Sequence, residues 1–556
     1  MSRTALMRFI RRAYRLSQAA AQTQIPLAEL VEMQQSIARR QVLQGLTVGA
    51  VGLGVKLIQP QQIAQASDIR RSDGRSDGLS GSGRSGSGLS RQNLLVVGAG
   101  IAGLTAAYRL RQAGVGVDVI EASHRVGGRL VSLAQLAGEF STVELGGEFI
   151  DSRHQDVRAL AAELGLELAD LRVADAGLEP EILYFGGQRM NEGRVIEEFA
   201  PLAHRIDRDL QQLTRRNITY RAPSPEAIRL DRLSLAEYLE VEPVSPLINQ
   251  LVRVAYITEF GRDPETQSCL NMLFLIGAEV GKWSTYGISD ERYHVVGGND
   301  QIPKRLAERL RGVIEFGTVL ESIRATADSC YRVSLRQDDR SQERIYDRIL
   351  LTLPFSLLRQ VELELELPEA KQNAIANLGY GTSSKLAVPY RERIWRTRYG
   401  CTISIYTDLD FQNTWESARY GAGPGGWVTD LRGGDQGLKL VADSPQIQAE
   451  RLTQDLEQIF PGIAQVPRGQ AKRAVWATEP YALGSYSCYL PGQWTSFGGA
   501  EIERVGNLWF AGEHCSLGSQ GYMNGACETA EAAAKSILAD LGQPVLDQAD
   551  LGQGVS

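Results

Sequence analysis

Cysteine, histidine and lysine are scarce in this 556-residue chain. The six cysteines, at 269, 330, 401, 488, 515 and 527, include no Cys-x-x-Cys pair, and no Cys/His group has zinc spacing. Neither a metal site nor an obligatory disulfide framework is expected. No apolar run reaches the roughly 20 residues that a helix needs to cross a hydrocarbon core, and no internal repeat is visible. An excess of positive charge is also missing. The formal net charge is -7, and residues 1 to 66 alone carry eight Lys+Arg against two acids, which leaves -13 on the remainder. An acidic body disfavours nucleic acid and anionic lipid as partners, because both are bound mainly by basic surfaces. With 43% hydrophobic residues over this length, two domains fit better than one.

What is present is a fingerprint. In Asn93-Leu-Leu-Val-Val-Gly-Ala-Gly-Ile-Ala-Gly-Leu104 an apolar strand leads straight into Gly98-x-Gly100-x-x-Gly103 and then into a helical pattern. Gly98 permits the tight turn, Gly100 lets a pyrophosphate approach the backbone, and Gly103 lets helix and strand pack closely. A second strand, Val115 to Ile120, ends in Glu121 at the spacing of a carboxylate that grips a ribose 2′-hydroxyl. Together these predict a dinucleotide site.

The chain continues Arg125-Val-Gly127-Gly128-Arg129, and near its end reads Asn507-Leu-Trp-Phe-Ala511-Gly512-Glu513-His514, then Gly521-Tyr522-Met-Asn-Gly525-Ala526. With these motifs the sequence resembles the flavin-containing amine oxidase family, which includes monoamine, polyamine and L-amino-acid oxidases. The likeness covers Asn93 to Leu541 and is strongest toward exported bacterial L-amino-acid oxidases. It implies non-covalent FAD and an α/β fold: a Rossmann-type FAD-binding domain built from discontinuous segments, with a second α+β substrate domain. FAD-binding parts are expected at 91–155, 291–360 and 471–541. Substrate-domain parts are expected at 156–290, mainly helical, and at 361–470, with a tail at 542–556. Implied cofactor contacts are Gly98, Gly100, Gly103, Glu121, Gly127, Gly128, Arg129, Val319, Gly512, Glu513 and Met523, with Glu513 on the ribityl or phosphate side. The helix start after Tyr522 would aim its positive end at the flavin.

The resemblance also carries the chemistry. Tyr486, in Trp476-Ala-Thr-Glu-Pro-Tyr-Ala-Leu-Gly484-Ser485-Tyr486, and Tyr522 would form two walls of an aromatic cage that orients an amine. Lys385, after Gly381-Thr-Ser-Ser, matches the family's lysine, bonded through water to flavin N5 and assisting reoxidation by O2. A lysine entering a strand could equally be a solvated surface residue. Two departures matter. Ser485 stands where covalently flavinylated members carry cysteine, so no thioether forms there. Many L-amino-acid oxidases place an arginine soon after the glycine pair corresponding to Gly146-Gly147, whereas here Glu148 and Asp151 follow. Those two acids, with Trp476, are candidate substrate contacts, and they suggest a basic L-amino acid such as arginine or lysine. A monoamine or polyamine oxidase, and a flavin dehydrogenase or desaturase passing electrons to a quinone, are the alternatives.

Ahead of this body, Arg39-Arg40 precedes a weakly apolar, glycine-rich run from Val42 to Val55, and Ala64-Gln-Ala66 offers a small-residue cleavage site. Residues 1–66 resemble a twin-arginine signal peptide, read by that export machinery, and 67–90 form a Gly/Ser linker. The expectation is an exported bacterial protein, periplasmic or extracellular, with a homodimer as its candidate assembly.

Overall fold

The structure is a computed structural model that describes residues 94–134, 142–213, 218–276, 289–417, 419–421 and 423–544, with a few residues between 13 and 27. The chain divides into two units, residues 1–24 with 92–556, and residues 25–91; the elements below belong to the first. Of the expected leader, the Arg39-Arg40 pair, the apolar run and Ala66 lie outside the described residues, as does the linker. Ala13, Tyr14, Leu16 and Ser17 are described and buried, and the Tyr14 hydroxyl donates to Asp207 at 3.2 Å. Cleavage after Ala66 would forfeit that packing.

A five-stranded parallel sheet runs in the order Leu508–Phe510, Arg348–Leu351, Leu94–Val97, Val117–Glu121, Ile314–Phe316. Leu94–Val97 is buried throughout, as a continuous apolar strand paired on both sides must be. The helices Ile101–Gln112 and Met523–Asp540 pack against each other and share one apolar core with the sheet. Gly98, Glu121, Thr352 and Gly512 all stand at carboxyl ends of these strands, the edge where open parallel sheets bind ligands.

A seven-stranded sheet forms the second layer system, in the order Lys472–Val475, Ser384–Tyr390, Gly426–Arg432, Asn413–Ser417, Ile405–Thr407, Ile182–Phe185, Gln188–Arg189. Three of its strands, Ile182–Phe185, Gln188–Arg189 and Lys472–Val475, fall outside the expected 361–470 segment. Ile182–Phe185 comes from the mainly helical region and pairs in parallel with Ile405–Thr407, while Lys472–Val475 pairs with Ser384–Ala387. Ile182–Phe185 and Lys472–Val475 are short and join the sheet across long sequence distances, so local periodicity does not reveal them. A four-stranded sheet built on Thr318–Ala325 adjoins the first.

Candidate active site

Gly98 adopts φ +106°, open to glycine and strained for any side chain. At Gly103 a Cβ would lie 2.0 Å from the Gly98 carbonyl oxygen, so this glycine seats the helix on the turn. Gly100 differs: no atom lies within 4 Å of where its Cβ would stand. Glu121 closes the turn, its Oε2 accepting from the Ala99 N–H at 2.8 Å and its Oε1 from Ser123. A carboxylate has about four acceptor positions, so capacity for a ribose hydroxyl remains.

From this turn a cavity of about 690 Å³ extends past Glu121, Arg125, Gly127, Gly128 and Val319 to a far end lined by Ser383, Lys385, Trp415, Trp476, Tyr486 and Tyr522. Arg129, Gly512, Glu513 and Met523 line the stretch between. The open space at Gly100 and the strand-end turn fit a dinucleotide phosphate, and the elongated cavity leading to two tyrosines fits the rest of an FAD. Of the residues predicted to hold cofactor, only Gly103 is not in the wall, because it lies beneath the turn. Glu148 and Asp151 are not in the wall either.

Glu513 acts differently from the expectation. Its Oε1 accepts from Arg129 Nη1 at 2.9 Å and Ser487 N at 3.2 Å; its Oε2 accepts from Ser487 Oγ at 2.7 Å and Gly521 N at 2.8 Å. All of its acceptor positions are occupied by protein, so it ties three cofactor-lining segments together instead of reaching for a ligand. Burial pushes its carboxyl up, but the Arg129 charge and the Ser487 hydroxyl outweigh that and hold it below the ordinary range.

The two tyrosines are anchored to consecutive residues at the end of helix Pro246–Phe260. Tyr486 donates to the Thr258 carbonyl at 3.1 Å and accepts from Ser383 Oγ at 2.8 Å. Tyr522 points its hydroxyl at Glu259 Oε1, 3.4 Å away, and its ring packs on His154 at 4.8 Å between centroids. Nothing in the sequence around Thr258 and Glu259 marks them, since both sit inside an ordinary helix. Trp476 donates its indole N–H to Leu145 O at 3.0 Å, which fixes a further wall.

Lys385 is buried on strand Ser384–Tyr390. Its ammonium donates to Glu148 Oε2 at 2.7 Å, Gly146 O at 2.9 Å and Glu144 O at 3.2 Å. Glu148, predicted to meet substrate, is therefore the partner of Lys385, with its other oxygen accepting from the Trp415 indole at 2.9 Å and Ser417 Oγ at 3.2 Å. Asp151 is likewise internal: its Oδ1 accepts from Ser289 Oγ at 2.7 Å and Glu291 N at 2.9 Å. Each buried carboxylate takes protein donors because leaving its charge unpaired would cost several kcal/mol. Arg153, the first arginine after Gly146-Gly147, is exposed and does not line this cavity.

Across Trp415, which lines both, lies a second cavity of about 700 Å³. Its wall carries six carboxylates (Asp175, Glu179, Glu181, Glu192, Asp290, Glu291) against three arginines. Each arginine is ion-paired: Arg172 with Asp290 at 2.9 Å, Arg189 with Glu179 at 3.3 Å, Arg419 with Asp175 at 2.7 Å.

A family model for flavin containing amine oxidoreductase matches residues 101–538. The chain belongs to this family. Among curated flavin amine oxidases, amine oxidase [flavin-containing] A of Bos taurus is 22% identical over 468 residues, covering 81% of this chain and 86% of that protein. Amine oxidase [flavin-containing] B of Cavia porcellus is 25% identical over 476 residues, covering 82% and 87%. Among solved structures, cyclohexylamine oxidase from Brevibacterium oxydans superposes with a TM-score of 0.70 at 23% identity, over 81% of this chain and 100% of that one. Putrescine oxidase bound to putrescine gives 0.68 at 21%, over 81% and 99%. These likenesses show the flavin amine oxidase fold.

FAD is expected to be released intact on acid precipitation. Ser485 offers no thiol, and Cys488, buried with its Sγ near Asn271 and Tyr489, does not line the cavity. Flavin retained on the denatured chain would contradict this.

Behind the Gly512-Glu513 strand end, burial shifts three further groups. Lys371 donates to Glu501 O at 2.7 Å and is pushed down to about 8; the Glu501 carboxyl is pushed up to about 7, and His514 down to about 4. Glu501 binds more protons folded than unfolded between its ordinary 4.5 and about 7, so its share of stability falls as pH rises there. His514 binds fewer when folded between about 4 and its ordinary 6.5, so its share rises over nearly the same window. The two oppose. Glu501→Gln should unmask the histidine and make the urea midpoint climb from pH 4 to 6.5; an unchanged profile would refute the assignment.

Proposed function

We propose that this flavin amine oxidase oxidises an amine that carries a second cationic group and no α-carboxylate, such as a diamine or polyamine, with O2 as electron acceptor and hydrogen peroxide as product. One observation carries the reading. In the second cavity, which meets the first at Trp415, six carboxylates face three arginines, and every one of those arginines and Lys385 at the tyrosine end already has a carboxylate partner among the described residues. A cationic chain is matched there; a substrate carboxylate is not.

Bound FAD supplies the two-electron acceptor for the C–H bond next to nitrogen. The chain's own work is orientation and exclusion of water. Tyr486 and Tyr522, held by Thr258 and Glu259, line the far end of the cavity, and their role is to place the neutral amine with two rings whose hydroxyls are fixed elsewhere. The burial of Lys385, Tyr486 and Tyr522 supports a dry reaction end.

A basic L-amino acid such as arginine or lysine is the second reading, favoured by the same acidic wall; it requires Arg172, Arg189 or Arg419 to exchange its present carboxylate for that of the substrate. Peroxide release from putrescine, spermine, phenylethylamine, L-arginine and L-lysine separates the cases. Turnover of putrescine or spermine well above the amino acids is expected. Activity confined to L-arginine and L-lysine would transfer the conclusion to the second reading, and activity confined to phenylethylamine would remove the role of a second cation. Export by the twin-arginine route belongs to the same proposal, supported by Arg39-Arg40 and Ala64-Gln-Ala66. An intact N-terminus on secreted protein would oppose cleavage.

A further inference from the structure

Glu148 stands at a junction that the oxidase reaction does not by itself require. One carboxylate oxygen takes the Lys385 ammonium, and the other takes the indole N–H of Trp415, the side chain common to both cavities. The Lys385 ammonium also lies 5.2 Å from the Trp415 ring centroid, so cation, carboxylate and indole form a closed triangle. Ser417 Oγ, on the same strand as Trp415 and 2.5 Å from Thr429 Oγ1 of the adjacent strand, also supports the carboxylate. The backbone of Glu148 is held as well, its carbonyl accepting from Asn299 Nδ2 at 2.6 Å.

An ammonium has three N–H donors. All three of Lys385 are directed at Glu148, Gly146 and Glu144. The cation at the tyrosine end is therefore both tethered and charge-compensated. Gly146 makes this possible, since a Cβ there would lie 2.0 Å from the Arg129 carbonyl oxygen and would force the Glu144–Glu148 loop away.

We propose that Glu148 is a positioning residue which compensates the charge of Lys385 at the flavin end of the cavity and fixes Trp415 as the partition between the two cavities. This rests on the proposed placement of the flavin ring at the tyrosine end. Without the carboxylate, the lysine keeps two carbonyl acceptors and its charge, and presents an unmasked cation to whatever anion forms beside it.

Sodium sulfite, an anion that adds to bound flavin and bleaches its visible band, reads that field without any amine substrate. In FAD-loaded Glu148→Gln the sulfite Kd should fall by roughly tenfold, the scale of one unit of charge interaction. Glu148→Asp, which keeps the charge, should stay near wild type. Lys385→Met with Glu148→Gln should match Lys385→Met alone, because Glu148 acts through the lysine. Should Glu148→Gln fail to hold FAD, the double variant, free of the unpaired charge, should regain it. An unchanged sulfite Kd in Glu148→Gln, a double variant that differs from Lys385→Met, or a double variant that still loses FAD would each overturn the proposal. A wild type that binds sulfite but oxidises no amine would count against the functional reading and leave the role of Glu148 standing.

Discussion

Gly100→Val should give a folded protein that no longer retains FAD. No atom lies within 4 Å of the position a Cβ would take at Gly100, so the valine meets no protein and occupies the space left for the pyrophosphate. Gly103→Ala should fail for another reason. Its Cβ would come within 2.0 Å of the Gly98 carbonyl oxygen, so helix Ile101–Gln112 must lift from the sheet. The two variants therefore separate cofactor exclusion from fold damage. Flavin absorbance after desalting and the thermal midpoint of the apoprotein decide it: Gly100→Val loses absorbance with a near-normal midpoint, and Gly103→Ala loses both. Full FAD retention in Gly100→Val would mean that the fingerprint turn does not face the pyrophosphate.

Glu513→Ala should be the most damaging substitution of a wall residue. It removes one carboxylate, leaving the buried Ser487 and the Gly521 N–H without that acceptor and the partly buried Arg129 without its counter-charge, though still bonded to the Ser485 carbonyl. Breaking a buried pair in this way costs about 3 to 5 kcal/mol, enough to consume a large part of an ordinary stability of about 5 to 15 kcal/mol. Glu513→Gln should cost less, because an amide oxygen still accepts. The acid dependence has a definite sign. The folded-state carboxyl is held below its ordinary 4.5, so its contribution is complete above that pH and is lost as pH falls through the depressed folded value. Urea denaturation at pH 7 and at pH 3.5 should show the gap between wild type and Glu513→Gln narrowing in acid. A constant gap would mean that the charge on Glu513 is not what Arg129 answers.

How legible was this in the sequence? The fingerprint turn, Gly127-Gly128-Arg129 and the Gly512-Glu513 strand end were readable because each is a short run whose backbone demands glycine at fixed steps. Lys385, Tyr486 and Tyr522 were readable only through resemblance, and the structure gathers them in one cavity. The partners of the charged groups were not readable. Glu148 lies 237 residues from Lys385, and Arg129 lies 384 from Glu513, so nothing local distinguishes a carboxylate that meets substrate from one that meets lysine. For that reason the sequence alone reads Glu148 and Asp151 as substrate contacts and cannot show that Glu513, in the cavity wall, answers protein donors as they do. Trp415 and the acidic second cavity depend on strands brought together from residues 182 to 432, an arrangement no single window contains.

The most direct measurement mixes the FAD-loaded protein anaerobically with putrescine or spermine and follows the flavin's visible band in a stopped-flow instrument, then admits O2 and assays peroxide. Bleaching that saturates with amine concentration, followed by recovery of the band and one peroxide per flavin reoxidised, is the expected result. A flavin that stays oxidised with putrescine, spermine, phenylethylamine, L-arginine and L-lysine alike, although FAD is bound, would contradict amine oxidation at the Tyr486–Tyr522 end of the cavity.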